Sequence, residues 1–164
     1  MRLRLEDPSS YTGGEIAITG SKSESNRLLI LQALFPKIII KNISNSDDSK
    51  ITENALKSTD SIIDIHHAGT AMRFLTAYFS TQPGREIILT GSQRMQARPI
   101  KLLVNALKDL GAEISYDKKE GYQPLNILGK KIIKNKVDLQ ANISSQYISA
   151  LMCMSPSLAE GFTL

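Results

Sequence analysis

Short β-branched runs alternate along this chain with longer apolar stripes of helical spacing, and the junctions between them are polar. Short β-branched runs predict strands, and apolar positions three and four apart predict helices. Strands are therefore expected at 15–19, 37–43, 61–65, 86–90, 113–116, 124–128 and 136–139, with another opening at Phe162. Helices are expected over 25–34, 50–57, 70–79, from Pro99 to Leu110, and over 145–154. The first of these is apolar nearly all round, through Leu28, Leu29, Ile30, Leu31, Ala33 and Leu34, which predicts burial, and Pro36 ends it. In the helix after Pro99, Ile100, Leu103, Leu107 and Leu110 fall on one stripe, and Gly111 supplies the stop. Residues 45–48 read as a turn in which Asp47 and Asp48 cap the next helix, and 117–121 as the turn between two strands. Pro156 closes the last helix.

This order of elements predicts an α/β protein. With 164 residues, the chain can form one domain with a real core or part of a larger one. No linker or low-complexity segment divides it, so 1–164 is expected to be a single unit. A strand opening at Phe162, so close to Leu164, reads as a piece of a longer protein. The net charge of +4 fits an anionic ligand but is too mild to imply nucleic acid, and the absence of tryptophan argues against base stacking. No apolar run reaches transmembrane length, the N-terminus lacks the apolar core of a signal peptide, and a cytoplasmic location is expected. The lone cysteine, Cys153, excludes an intrachain disulfide; it lies on an apolar helix and is expected to be a buried, inert thiol.

Candidate chemistry sits in the turns. GSKSESNR (20–27), HHAGTAMR (66–73), TGSQRMQARP (90–99) and ANISSQ (141–146) each place glycine, hydroxyl, amide or basic residues where a helix begins. A helix start carries free N–H groups and partial positive charge, so it attracts anions. Several such starts, with one lysine and several arginines, predict a site for a highly charged anion bearing phosphate and carboxylate. His66 and His67 are adjacent and cannot point the same way on a strand, so a metal site from this pair is not expected. GSKSESNR also lacks the spacing of a P-loop.

The same turns resemble the signatures of the EPSP synthase family, the 3-phosphoshikimate 1-carboxyvinyltransferases of the shikimate pathway. GSKSESNRLLILQALF resembles the first signature, HAGTAMRFL the second, LTGSQRMQARPIKLLVNALKDLGA the third and ISSQYISALM the fourth, and SDDS (46–49) matches a smaller turn. They occur in family order across 20–154. The resemblance implies transfer of the enolpyruvyl group of phosphoenolpyruvate to the 5-hydroxyl of shikimate 3-phosphate, with release of phosphate. It implies no cofactor and no metal. It also implies a fold of repeated βαβαββ units with buried helices, half of an inside-out barrel, facing a cleft closed by a C-terminal domain that this chain lacks. A bacterial type of enzyme, monomeric at full length, is expected.

By family position, Lys22 contacts both substrates. Ser23, Arg27, Ser144, Ser145 and Gln146 are implied for shikimate 3-phosphate, and Gly69, Thr70, Arg94 and Gln146 join Lys22 on phosphoenolpyruvate, where the herbicide glyphosate also binds. Lys22 and Arg94 are the implied catalytic contacts. His67, Arg73 and Arg98 support them; His67 stands where the family usually has Asn, and Phe74 where many members have Pro. Plainer roles stay open: a helix cap for Ser23, a double cap for Ser144 and Ser145, and ion pairs for Arg27, Arg73 and Arg98. No general acid–base pair is visible, so the chain alone is expected to be inactive, with proton-moving groups coming from the C-terminal half. Two other readings remain: the related enolpyruvyl transfer to UDP-N-acetylglucosamine, and a noncatalytic anion- or RNA-binding module of related fold.

Overall fold

The computed structural model describes residues 15–140 and 144–164, and within them the elements run α1 (Lys22–Leu34), α2 (Asp47–Lys57), β1 (Ile62–Asp64), α3 (Gly69–Ser80), β2 (Glu86–Thr90), α4 (Gln93–Gln96), α5 (Lys101–Asp109), β3 (Glu113–Tyr116), β4 (Leu125–Leu128) and α6 (Ser145–Met154), followed by a 3-10 turn over Ser155–Ser157. The stretch from β1 to β4 is one βαβαββ unit. Its four strands form a mixed sheet in the order β1-β2-β4-β3: β1 runs parallel to β2, while β4 is antiparallel to both β2 and β3.

Burial alternates along the strands, as period-two geometry demands. Ile63, Ile87, Leu89, Ile114, Leu125 and Ile127 are buried, whereas Ile62 is exposed. Helices α3 and α5 cover the buried face. The helical stripe Ile100, Leu103, Leu107 and Leu110 is buried as the pattern predicts, and Gly111 follows with φ +107°, a conformation that favours glycine. At the centre lies α3, packed against α1, α2, α6 and the sheet. Ala71, Met72, Phe74, Leu75, Thr76, Ala77 and Phe79 are all buried, so this helix is apolar on nearly every side.

Several expected elements differ. No strand forms at 15–19 or 37–43; Ile16, Ile18 and Ile39 stand in solvent, and Asn42 takes a left-handed φ of 53°. A strand needs a ladder partner, and none faces these segments among the described residues. For the same reason 136–139 and the stretch from Phe162 shrink to one parallel bridge between Lys136 and Thr163. Helix α1 is not buried all round: Ser25, Asn26, Leu29 and Ile30 are buried, and the other apolar positions are half-buried. It also starts three residues early, because Ser21 caps it, and α2 starts early because Ser46, not Asp47 or Asp48, is its cap. The helix expected from Pro99 begins at Lys101, since the Ile100 N–H donates to the Gly121 carbonyl at 2.9 Å, and the short α4 precedes it.

Two measurements test this packing. Leu75 is fully buried in α3, so Leu75→Ala should lower the unfolding free energy by about 2–5 kcal/mol in urea denaturation. Burial pushes the Cys153 thiol pKa up against the opposing pull of Arg27. The folded thiol therefore stays protonated to higher pH than a free one, and iodoacetamide at pH 8 should label Cys153 only after the protein is unfolded.

Candidate active site

Contacts between helices show that the starts of α1, α2, α3 and α6 lie at one end of the molecule. Arg27, in the second turn of α1, donates from Nη2 to the Ser149 hydroxyl of α6 at 3.0 Å, and its guanidinium lies 5.4 Å from the centre of the Phe74 ring of α3. Near the start of α3, the Arg73 guanidinium lies 5.5 Å from the centre of the Tyr147 ring of α6. The first turn of α2 joins through Asp48, whose Oδ1 accepts from the Thr70 N–H at 3.2 Å and whose Oδ2 is 3.7 Å from Lys22 Nζ. Lys22, Arg27, Thr70, Arg73 and Tyr147 are thus linked across the four helices.

The segment after β2 reaches the same end. The Ser92 N–H donates to the His66 carbonyl at 2.8 Å, which sets the start of α4 beside the turn before α3. The Tyr147 hydroxyl donates to the Pro99 carbonyl at 2.8 Å. Arg98, immediately before Pro99, lays its guanidinium on Gly69: a Cβ at position 69 would collide with Arg98 Nη1 and stand 3.4 Å from Arg73 Nη1. Glycine at 69 therefore leaves room for the Arg98 guanidinium against the start of α3. Arg94 is exposed on α4 and makes no hydrogen bond or ion pair among the described residues.

The charges here are unusually disposed. Among the described residues, neither Arg27, Arg73 nor Arg98 pairs with a carboxylate. Arg27 Nη1 donates to the Ser23 carbonyl at 2.7 Å, and Arg73 Nη1 to the Gly69 carbonyl at 2.6 Å. Arg73 Nε is buried without a partner. Burial lowers the Arg73 pKa, Tyr147 opposes the shift, and the like charge of Arg98 adds to it. Adjacent guanidiniums without a counter-charge repel each other, and an anion relieves that repulsion.

The acids present serve other partners. Asp48 holds Lys22 and Thr70, Asp47 is 3.7 Å from His67 Nε2, and Asp64 is 3.7 Å from His66 Nδ1. His66 and His67 thus face different carboxylates, and no group of metal-ligating side chains occurs among the described residues. Ser144 stands at the cap position of α6, but its hydroxyl makes no capping bond, unlike those of Ser21, Ser46 and Ser92. Ser145 is exposed and Gln146 half-buried beside it. Ala141, Asn142 and Ile143 of this turn lie outside the described residues.

Sequence reasoning found the basic and small residues but missed those that hold them. Asp48 reads as an ordinary cap, and nothing in the sequence marks Tyr147 or Ser149 as partners of Pro99 and Arg27. What was legible in them was only their place at a helix start.

Known proteins resemble this chain along most of its length. The family model for EPSP synthase (3-phosphoshikimate 1-carboxyvinyltransferase) matches residues 52–164. The 3-phosphoshikimate 1-carboxyvinyltransferase of Bacteroides fragilis (strain YCH46) is 47% identical over 100% of this chain, which covers 40% of that protein. That of Pasteurella multocida (strain Pm70) is 38% identical over 96% of this chain and 43% of its own length. The pentafunctional AROM polypeptide of Scheffersomyces stipitis is 39% identical over 88% of this chain and 11% of its own length. Among solved structures, EPSP synthase from Acinetobacter baumannii superposes with a TM-score of 0.71 at 20% identity, over 88% of this chain and 39% of that one. The fold is therefore that of the EPSP synthases, and this chain spans about 40% of the length of the curated Bacteroides relative. With its family model matched over more than half its residues, the chain belongs to the EPSP synthase family.

Proposed function

We propose that this chain forms the amino-terminal domain and half the substrate cleft of an enzyme that transfers the enolpyruvyl group of phosphoenolpyruvate to the 5-hydroxyl of shikimate 3-phosphate, with release of phosphate. The observation that carries the reading is the gathering of four helix starts around Lys22, Arg27, Arg73 and Arg98, with the three arginines unpaired by carboxylates among the described residues. Both substrates are polyanions, and preorganised cations and helix-start N–H groups stabilise phosphate and carboxylate without reorganising. Shikimate 3-phosphate is assigned to Lys22, Ser23, Arg27, Ser144, Ser145 and Gln146; the uncapped Ser144 hydroxyl supports this, because it is left to donate to a ligand. Phosphoenolpyruvate is assigned to Lys22, Gly69, Thr70, Arg94 and Gln146, with His67, Arg73 and Arg98 in support. Arg98 lies against Gly69, and the Arg94 guanidinium, exposed and without a partner among the described residues, is left for the ligand.

The chemical step needs a proton donor and acceptor, and the acids at this end of the molecule are engaged with Lys22, Thr70 and the histidines. This half therefore binds and orients, and the remaining part of the longer polypeptide supplies the proton-moving groups and closes the cleft. The enzyme is read as a cytoplasmic monomer that needs no cofactor; no helix of the described residues is long and apolar enough to cross a membrane.

A phosphate-release assay tests the reading. The full-length polypeptide should liberate phosphate from phosphoenolpyruvate with shikimate 3-phosphate and not with UDP-N-acetylglucosamine, and residues 1–164 alone should give no turnover. Activity with the UDP-sugar, or turnover by the short chain, would refute it. Within that enzyme, Arg94→Ala should lower kcat/KM for phosphoenolpyruvate by about a hundredfold, and Arg98→Ala by under about tenfold.

A further inference from the structure

We propose that Asp48 is a positioning residue for Lys22, a role that rests on the functional reading above. Its side chain is 16% exposed, whereas the adjacent Asp47 is 73% exposed, so the fold has drawn one of two consecutive acids inward. One Asp48 oxygen accepts from the Thr70 N–H at 3.2 Å, and the other lies 3.7 Å from Lys22 Nζ. A single carboxylate thus sits at the starts of α2 and α3 and faces the one lysine at the start of α1.

Its backbone is fixed from behind. Asn26 of α1 is fully buried and accepts from the Ser49 hydroxyl at 2.8 Å, and that hydroxyl lies 3.1 Å from the Ser46 hydroxyl at the cap of α2. The Thr52 hydroxyl donates to the Asp48 carbonyl at 2.7 Å. The Ser44 N–H donates to the Ser25 hydroxyl at 2.9 Å, joining the approach to α2 to the same face of α1. Such a buried, mutually bonded chain holds the carboxylate in register with Lys22.

A merely structural role does not require a charge. Joining α2 to α3 needs only an acceptor for the Thr70 N–H, and an asparagine provides one. A carboxylate beside an anion site also repels the anion, so it lowers ground-state affinity. What the charge adds is direction. Lys22 is half-exposed on a flexible stem, and Asp48 draws its ammonium toward the start of α3, where Arg73 and Arg98 converge. Orientation of a cation ahead of the reaction is expressed in turnover more than in binding.

The test uses the full-length enzyme and steady-state kinetics with phosphoenolpyruvate. Asp48→Asn keeps the Thr70 acceptor and removes the charge. It should lower kcat about tenfold, leave KM unchanged or lower, and shift Tm by less than about 2 °C. Made in a Lys22→Met background, the same change should alter kcat by less than about twofold, because its effect passes through Lys22. An unchanged kcat, a raised KM at constant kcat, or an equal loss in both backgrounds overturns the proposal. If Asp48→Asn does not fold, Asp48→Glu decides: it should keep more than about a third of kcat, and a loss equal to that of Asp48→Ala overturns the role. A wild-type enzyme that transfers no enolpyruvyl group defeats the functional reading and this one together; a transferring wild type with an unaffected Asp48→Asn defeats this one alone.

Discussion

Helix α3 must be buried along nearly its whole length, its first turn included, yet the N–H groups of that turn must find partners. An apolar helix of this kind is stable only inside, and here the sheet takes one side while α1, α2 and α6 take the other. Its free N–H groups cannot be buried unpaired, and the Thr70 N–H finds Asp48 at the start of α2, so α3 begins where its neighbours begin. That requirement brings Lys22, Thr70, Arg73 and Ser145 to one end, although they lie far apart in sequence. Gly69 completes the arrangement by leaving no side chain between α3 and Arg98.

The charge pattern follows from this geometry. Helix starts favour negative charge, and the protein supplies some of it internally through Asp47 and Asp48. It does not supply enough: Arg27 and Arg73 rest on carbonyls, a hydroxyl and aromatic faces, and Arg98 lies against Gly69. Internal ion pairs would have neutralised the surface and spoiled it for a charged ligand. Carbonyls and ring faces hold a guanidinium in place while leaving its charge unspent.

What the sequence makes legible and what it hides divide along physical lines. The strands and longer helices from 61 to 128 could be read to within a residue or two, though not the short α4, because alternation in β2 and β3 and the stripe through Leu103 and Leu107 are local signals. The stretches at 15–19 and 37–43 have equal β-branched character and form no strand, since a strand is defined by its partner and not by its own composition. At the site, Gly69, Arg27, Arg73 and Lys22 stand out because small and basic residues at a helix start carry a known chemistry. Arg94 and Arg98 share one motif, and only the path of the chain through Pro99, fixed by Tyr147, sets Arg98 against Gly69. Asp48 hides for a related reason: its partners lie on two other helices.

Because the cationic face is assembled from four helices that begin at residues 22, 47, 69 and 145, it has no counterpart in the unfolded chain. Whatever anion it holds is bound by the native state alone. By mass action such a ligand adds its own binding free energy to the fold, so occupancy and conformational stability rise and fall together.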